Sequence, residues 1–304
     1  MAQIEREENG QQVVLNAWHT VGRSRQCDLY IADREISKQH ALIRWDGAQW
    51  TLRDLHSKNG TWFNNTAVQP GRDVPLQIGS TIAFGSLQDR WRVVSVAEPV
   101  ARAVNTVTGQ VVSAMNGLLA LPDPENPSHT IYRHGPGWFV EDFDGRRSPA
   151  SDQQVLVFNS VSWVLSIPQP APNTWLDHQL PAPSNIILRF FVGGADPDAI
   201  SVCFVHEGRS IYLKQRVHLQ VIYILAQARL RDQGNPKIPL KEQGWLYRDE
   251  LCRRLGIYDN RLYVHVFRAR EQFAEAGLSG ATSIIERRSD TQQVRIGISN
   301  IEIT

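Results

Sequence analysis

DREISKQHALIRWDGAQWTLRDLHSKNGTWFNN, residues 33–65, is the stretch whose reading decides the fold. Ala41, Ile43 and Trp45 alternate with polar residues, as do Trp50 and Leu52 after them, and Asp46-Gly47 lies between the runs. A period of two broken by an Asp-Gly pair predicts two short strands and a hairpin turn. The ends of that hairpin carry more polar chemistry than a turn needs. Ser37, Lys38 and His40 precede the first strand, and Ser57, Lys58, Asn59, Gly60 and Thr61 follow the second.

The same strand pattern extends outward through residues 1–98. Alternating runs at 13–18, 29–32, 81–85 and 90–96 are separated by Gly, Asn and Asp, a spacing that argues for a β-sandwich. The middle of the chain echoes this region. His129-Thr-Ile-Tyr-Arg133, Gly135 and Trp138-Phe-Val-Glu-Asp142 align with His40–Arg44, Gly47 and Trp50–Asp54, one loop residue shorter. Trp163-Val-Leu165 then stands where Trp91-Arg-Val93 closes the first region. Residues 99–167 read as a shorter, degenerate copy with Trp138 and Trp163 in its core. The polar clusters are absent from it: Asn126 replaces Ser37, and Asp144-Gly145-Arg146 replaces Ser57–Gly60. A Pro-rich stretch at 168–185 reads as a stiff linker. Beyond it the period changes, and 216–231, 248–255 and 260–276 read as helices with Gly234, Gly256 and Gly277 as stops. A hairpin at 283–297 closes the chain.

Composition restricts the possible functions. The 304 residues are 42% hydrophobic and 21% charged, as in an ordinary globular protein. The N-terminus is too charged for a secretory signal, and the most apolar stretch, 186–205, is broken by Arg189, Asp196 and Asp198, so neither export nor a membrane partner is expected. Three cysteines far apart fit a reducing cytoplasm. Net charge is +1, yet residues 201–304 hold 16 Lys+Arg against 11 Asp+Glu, a net of +5, which places any polyanionic partner in the last third. No CxxC, HExxH, P-loop or GxSxG element occurs, so the chain reads as a non-enzyme without cofactor or metal. Cys252 beside Arg253 and Arg254 reads as a packing residue on an amphipathic helix.

In order and spacing, Gly22-Arg23-Ser24, Ser37-Lys38-Gln39-His40, Ser57-Lys58-Asn59-Gly60-Thr61 and Asn64 resemble the forkhead-associated (FHA) domain, over about residues 10–97. That resemblance implies a β-sandwich binding a phosphothreonine protein, with Arg23, Ser37, Lys38, Ser57, Lys58 and Asn59 as phosphopeptide contacts. It implies loop architecture for Gly22, His40, Gly60, Thr61 and Asn64. The chemistry agrees, since a phosphoryl group with nearly two negative charges calls for a guanidinium and convergent hydroxyl and amide donors. Lys38 stands where the family more often has Arg, and Ser80 where it more often has Asp.

The last third, with "GRSIYL", "YRDELCRRLG" and "NRLYVHVFRAREQF", resembles the winged helix-turn-helix effector domain of bacterial OmpR-type response regulators, over about residues 186–300. The resemblance implies double-stranded DNA as a partner, with the third helix as recognition helix. Leu262, Val266, Ala269 and Phe273 share its core face, leaving Val264, Phe267, Arg268 and Glu271 outward. Arg261, His265, Arg268 and Arg270 would face DNA, with Arg287, Arg288 and Arg295 on the wing. Taken together, the chain is a multidomain β plus α/β protein. It carries an FHA sandwich at 1–98, a degenerate FHA-like segment at 99–167, a linker at 168–185 and a winged helix-turn-helix domain at 186–304. Two functions stand: a cytoplasmic transcription regulator reading phosphothreonine, or a phosphorylation-dependent adaptor whose winged helix docks another protein.

Overall fold

The computed structural model describes residues 1–46, 48–134, 137–168, 180–193 and 200–304. Most of the Pro-rich stretch expected as a linker lies outside the described residues.

The first eleven strands are β1 (Gln3–Arg6), β2 (Gln12–Val14), β3 (Trp18–Gly22), β4 (Leu29–Tyr30), β5 (Ala41–Trp45), β6 (Trp50–Asp54), β7 (Thr61–Phe63), β8 (Thr66–Ala67), β9 (Asp73–Pro75), β10 (Thr81–Phe84) and β11 (Arg90–Ser95). They form two sheets, β2-β1-β11-β10-β7-β8 and β4-β3-β5-β6-β9. The hairpin at the heart of the opening stretch forms in the expected register, Ala41 opposite Asp54 and Trp45 opposite Trp50. Inward residues of both sheets, including Ile4, Val21, Ile43, Trp50, Leu52, Ile82, Phe84 and Trp91, make one core. The run expected at 13–18 is instead two strands, β2 and β3. Leu15 turns into the core between them, and His19 Nδ1 accepts the Asn16 N–H at 3.2 Å. The charged segment 3–6 also pairs as β1, because Ile4 alone carries its burial.

The next eight strands are β12 (Arg102–Asn105), β13 (Val111–Ser113), β14 (Leu118–Leu121), β15 (His129–His134), β16 (Gly137–Asp142), β17 (Arg147–Ala150), β18 (Val155–Phe158) and β19 (Val161–Ser166). Their pairing repeats that of the first region, without counterparts of β4, β7 and β8. The order β12-β19-β18 matches β1-β11-β10, and β14-β15-β16-β17 matches β3-β5-β6-β9. The registers match too: Ala103 faces Leu165 and Asn105 faces Trp163, as Ile4 faces Val93 and Arg6 faces Trp91. Trp163 is 1% exposed and Trp91 2%. Trp138 departs from the expected core position and is half-buried between Arg133 and Ala150 on neighbouring strands.

The segment 99–167 does not stay together as one body. Two compact units divide the chain, one of residues 1–109 and 152–174, the other of 110–151 and 175–304. The first unit keeps β12, β18 and β19. In the second, β14–β17 join β20 (Ile187–Val192), β21 (Ile200–His206), β22 (Arg209–Tyr212), α1 (Leu219–Gln233), β23 (Leu246–Tyr247), α2 (Arg248–Leu255), α3 (Asp259–Glu275), β24 (Ile285–Arg288), β25 (Gln293–Ile296) and β26 (Ile301–Ile303). The physical reason lies in β14–β16: Leu118, Ala120 and Tyr132 bury against Phe267 of α3. Within the second unit β22-β21-β20-β26 form one sheet and β23-β25-β24 another, with α1 between β22 and β23 in the chain and α2 and α3 between β23 and β24. Gly256 ends α2 at φ 65°, the left-handed cap its position predicts. Asp249 and Glu250 in the first turn of that helix, and Arg253 and Arg254 in the last, complement its dipole.

Candidate functional site

Three loops of the first unit carry the polar clusters, and specific bonds stitch them at one rim. Gly22 ends β3 because nothing larger fits: a Cβ there would stand 2.3 Å from the Lys38 carbonyl oxygen. That close approach lets the Arg23 N–H donate to the Ser37 carbonyl at 2.9 Å and the Ser24 N–H to Lys38 at 3.1 Å. The Arg23 guanidinium is steadied by Nε donating to the Ile36 carbonyl at 3.1 Å, and the side chain is exposed. The second and third loops meet at Ser37, whose Oγ accepts the Lys58 N–H at 3.0 Å. With one lone pair so engaged, the Ser37 hydroxyl still has its proton to offer an outside acceptor.

His40, fully buried, locks this geometry. Its Nδ1 accepts the Ser37 N–H at 3.1 Å and its Nε2 bonds the Gly60 carbonyl at 3.0 Å, which together require the Nε2-protonated neutral ring. Burial holds its pKa below the usual histidine value, outweighing the bond to Gly60 and the charge of Asp54. Gly60 sits at φ 80°, in left-handed backbone. Asn64, at φ 51°, ties its turn to the start of β10 by accepting the Thr81 N–H at 2.9 Å through Oδ1.

Two of the residues expected as contacts also make bonds inside the rim. Ser57 Oγ donates to Asp54 Oδ2 at 2.6 Å and its N–H to Asp54 Oδ1 at 3.0 Å, so the Ser57 hydroxyl shapes the loop. Asn59 Nδ2 donates to the Glu35 carbonyl at 3.0 Å, bracing the second loop. Both bonds centre on backbone or on Asp54, which also accepts from Thr61 Oγ1 at 2.6 Å. Asp54 is the residue sequence reasoning left without a role. Burial would raise its pKa, but the bonds from Ser57 and Thr61 prevail and hold it below the carboxylate norm. Its position at the end of β6, three residues before Ser57 and seven before Thr61, was the available signal. What the rim leaves outward is Arg23, Lys38 and Lys58, exposed and with no ion pair among the described residues, and the Ser37 hydroxyl.

The second unit's arginines stand otherwise, and the expected outward face of the third helix needs correction. Phe267 and Tyr263 are each 3% exposed. Tyr263 Oη donates to the Glu141 carbonyl at 3.2 Å and meets Thr130 Oγ1 at 2.9 Å. Arg270 is buried, with Nη1 3.1 Å from Glu141 Oε1 and Nη2 donating to the Ile285 carbonyl at 2.8 Å. Arg287 shares the same carboxylate oxygen at 3.1 Å and donates to the Phe143 carbonyl at 2.5 Å. Burial alone would raise the pKa of Glu141, but the two guanidinium groups hold it below the carboxylate norm, ionised. Arg268 pairs with Glu271 at 2.8 Å and with Glu125. Arg288 and Arg295 lie over the Trp245 ring, 4.0 and 4.5 Å from its centroid, paired with Glu242 and Glu286. His265 has a buried Nδ1, and burial pushes its pKa down. Of the seven residues assigned to DNA, only Arg261 is exposed. The helical period placed Phe267 and Arg270 off the core stripe correctly; a sheet from the middle of the chain covers that side. Cys252 is buried, and its thiol is pushed up to about 11 by burial and by Asp259. No described helix is long and apolar enough to cross a membrane.

Residues 19–85 match the family model described as FHA domain. Over 65 residues the chain is 43% identical to the FHA domain-containing protein FhaA of Mycobacterium tuberculosis, covering 21% of this chain and 12% of that one. Over 82 residues it is 32% identical to the oxoglutarate dehydrogenase inhibitor of Corynebacterium efficiens, covering 27% and 53%. Among solved structures it is similar to one from a study of phosphothreonine-dependent FHA domain interactions. That likeness has 28% identity and a TM-score of 0.28, and covers 33% of this chain and 98% of the other. The chain spans from 12% to 53% of the length of these two curated relatives. Family match, two-sheet strand order and stitched loops together make the N-terminal segment of this chain an FHA domain.

Proposed function

We propose that this chain reads threonine phosphorylation on a partner protein, and that it acts in signalling as a binding protein rather than an enzyme. The observation that carries the reading is the rim itself. Arg23, Lys38 and Lys58 are cations without an ion pair among the described residues around a Ser37 hydroxyl that already accepts one bond and can donate its proton, a donor-rich surface suited to a dianionic phosphoryl group. Asn59 and Ser57 serve it indirectly, by holding the second and third loops in place.

For the second unit we favour the adaptor reading over DNA binding. The chain order of sheet, three helices and hairpin supports a winged helix-turn-helix. In that fold α3 would enter a major groove, but Tyr263, Phe267 and Arg270 are buried against β14–β16, and Arg287 is spent on Glu141. A helix so covered acts as a packing surface.

Calorimetry with matched phosphothreonine and unphosphorylated peptide libraries tests the first part. Arg23→Ala with Ser37→Ala should abolish phosphopeptide binding and leave the circular dichroism unchanged, and equal binding of both libraries by the wild type would end the proposal. Fluorescence anisotropy on genome-selected and scrambled duplexes tests the second. The adaptor reading expects no sequence selection, and loss of residual binding at physiological salt.

A further inference from the structure

The repeated strand order makes one strand edge of the first unit comparable with its counterpart. In the first copy β10 is an inner strand. It has β11 on one side and β7 on the other, with Ile82 opposite Phe63, Ala83 opposite Trp62 and Phe84 opposite Thr61. In the second copy β18 takes the place of β10, since Leu156 faces Trp163 as Ile82 faces Trp91. There β7 has no counterpart, and β18 ends its sheet. The register makes Val157 the counterpart of Ala83, and Val155 that of Thr81. Ala83, across from Trp62, is 3% exposed, whereas Val157 is 67% and Val155 55% exposed.

Natural sheets protect their ends with charge, proline or brevity, because an open strand edge invites a further strand. Two end strands of this chain show those devices: β17 carries Arg147 and Pro149, and β8 is two residues long. By contrast β18 reads Val-Leu-Val-Phe, and no charged residue stands between Asp152 and the end of β19. The edge is also held in strand form. Asn159 and Ser160, at φ 51° and 61°, make the two-residue turn whose twist matches paired strands, with Phe158 opposite Val161 at its base.

We propose that β18 pairs with β18 of a second copy of this chain, filling the place that β7 holds in the first sandwich. The strands β7 and β10 are antiparallel, and a two-fold axis perpendicular to the sheet gives two copies of β18 the same relation. The strand is its own complement. With Leu156 opposite Leu156 of the second copy, Val155 lies opposite Val157, so all four valines share one face and both leucines the other. No charge lies on the strand, so no like charges meet across the pair. This edge uses none of the rim residues, and the pairing does not depend on the phosphothreonine reading.

Analytical ultracentrifugation of the full chain over a range of concentrations tests the pairing. A particle of twice the chain mass should form reversibly, and amide hydrogen exchange at residues 155–157 should slow as it does. Val157→Lys should weaken the dimer about tenfold or more, because symmetry enters each lysine twice and sets it against valine. Val155→Lys should act alike, and it keeps the test open should Val157→Lys fold poorly. Val107→Lys, at a position 81% exposed in the same unit but outside β18, should leave the dimer unchanged. A chain that stays monomeric at every concentration overturns the pairing, and means that β18 stays bare or takes a strand from a different protein. A dimer equally stable in both β18 variants overturns it too, because the contact then lies elsewhere. Equal weakening by Val107→Lys has the same consequence, since the association is then general apolar adhesion.

Discussion

The two units carry basic residues of the same types in opposite conditions. At the N-terminal rim Arg23, Lys38 and Lys58 are exposed and unpaired among the described residues. In the C-terminal unit Arg268, Arg270, Arg287, Arg288 and Arg295 each meet a carboxylate of their own body. A cation can recruit an outside anion only if its charge is not already satisfied within the fold. Residue type and spacing nominate a site, and availability decides it.

The largest expected effect tests the committed set. Glu141→Ala leaves Arg270 and Arg287 buried without their shared carboxylate, and breaking a buried pair in this way costs about 3–5 kcal/mol. Urea denaturation should register it, and a change under about 0.5 kcal/mol would mean that these arginines are freer than the contacts indicate.

Next comes the free set, with the opposite signature. Ser37→Ala should weaken a phosphothreonine peptide by about 10–100-fold, the loss of one hydrogen bond to a charged group. Lys38→Ala should weaken it as well while barely moving the unfolding midpoint, because its side chain is exposed and has no ion pair among the described residues. A large drop in stability in Lys38→Ala, measured by thermal unfolding, would place that lysine with the committed set.

A pH series sharpens the contrast between donors held by burial and those held by charge. Burial lowers the pKa of His40 and lowers that of His19 to about 4, whereas the unfolded chain titrates near the ordinary value of about 6.5. As pH falls through that window the unfolded state takes up protons first, so the first unit loses stability from about pH 6.5 down towards pH 4. Above pH 6.5 both states carry neutral rings and these residues contribute no slope. Protonating His40 at Nδ1 also removes the acceptor for the Ser37 N–H. Denaturant midpoints that stay level between pH 7 and pH 5 would contradict this account.

The smallest effect is expected from Arg288→Ala. Its guanidinium stacks on Trp245 at the surface, a contact worth no more than about 1 kcal/mol. Residual retention on heparin or duplex DNA should be unchanged, and a clear loss of retention would return the hairpin to the DNA-binding reading.

Much of this protein was legible in the sequence because local rules suffice for it. The alternation in 41–45 and 50–54 determined a hairpin and its register, since a slip of one residue would turn Ile43 and Leu52 out of the core. The resemblance to the FHA family also marked Gly22, His40, Gly60, Thr61 and Asn64 as architecture, and the echo of residues 40–54 and 91–93 at 129–142 and 163–165 anticipated the repeated strand order. Tertiary structure decided what no local period encodes: which polar groups spend their bonds inside the fold. Ser57 and Asn59 have the chemistry of ligand contacts, and each also bonds within the fold, to Asp54 and to the Glu35 carbonyl. Phe267 and Arg270 lie off the core stripe of α3, yet β14–β16, more than a hundred residues away in sequence, cover them. Helical periodicity reports which side of a helix differs from its core side. What that side meets depends on contacts remote along the chain, and those exist only once the chain has folded.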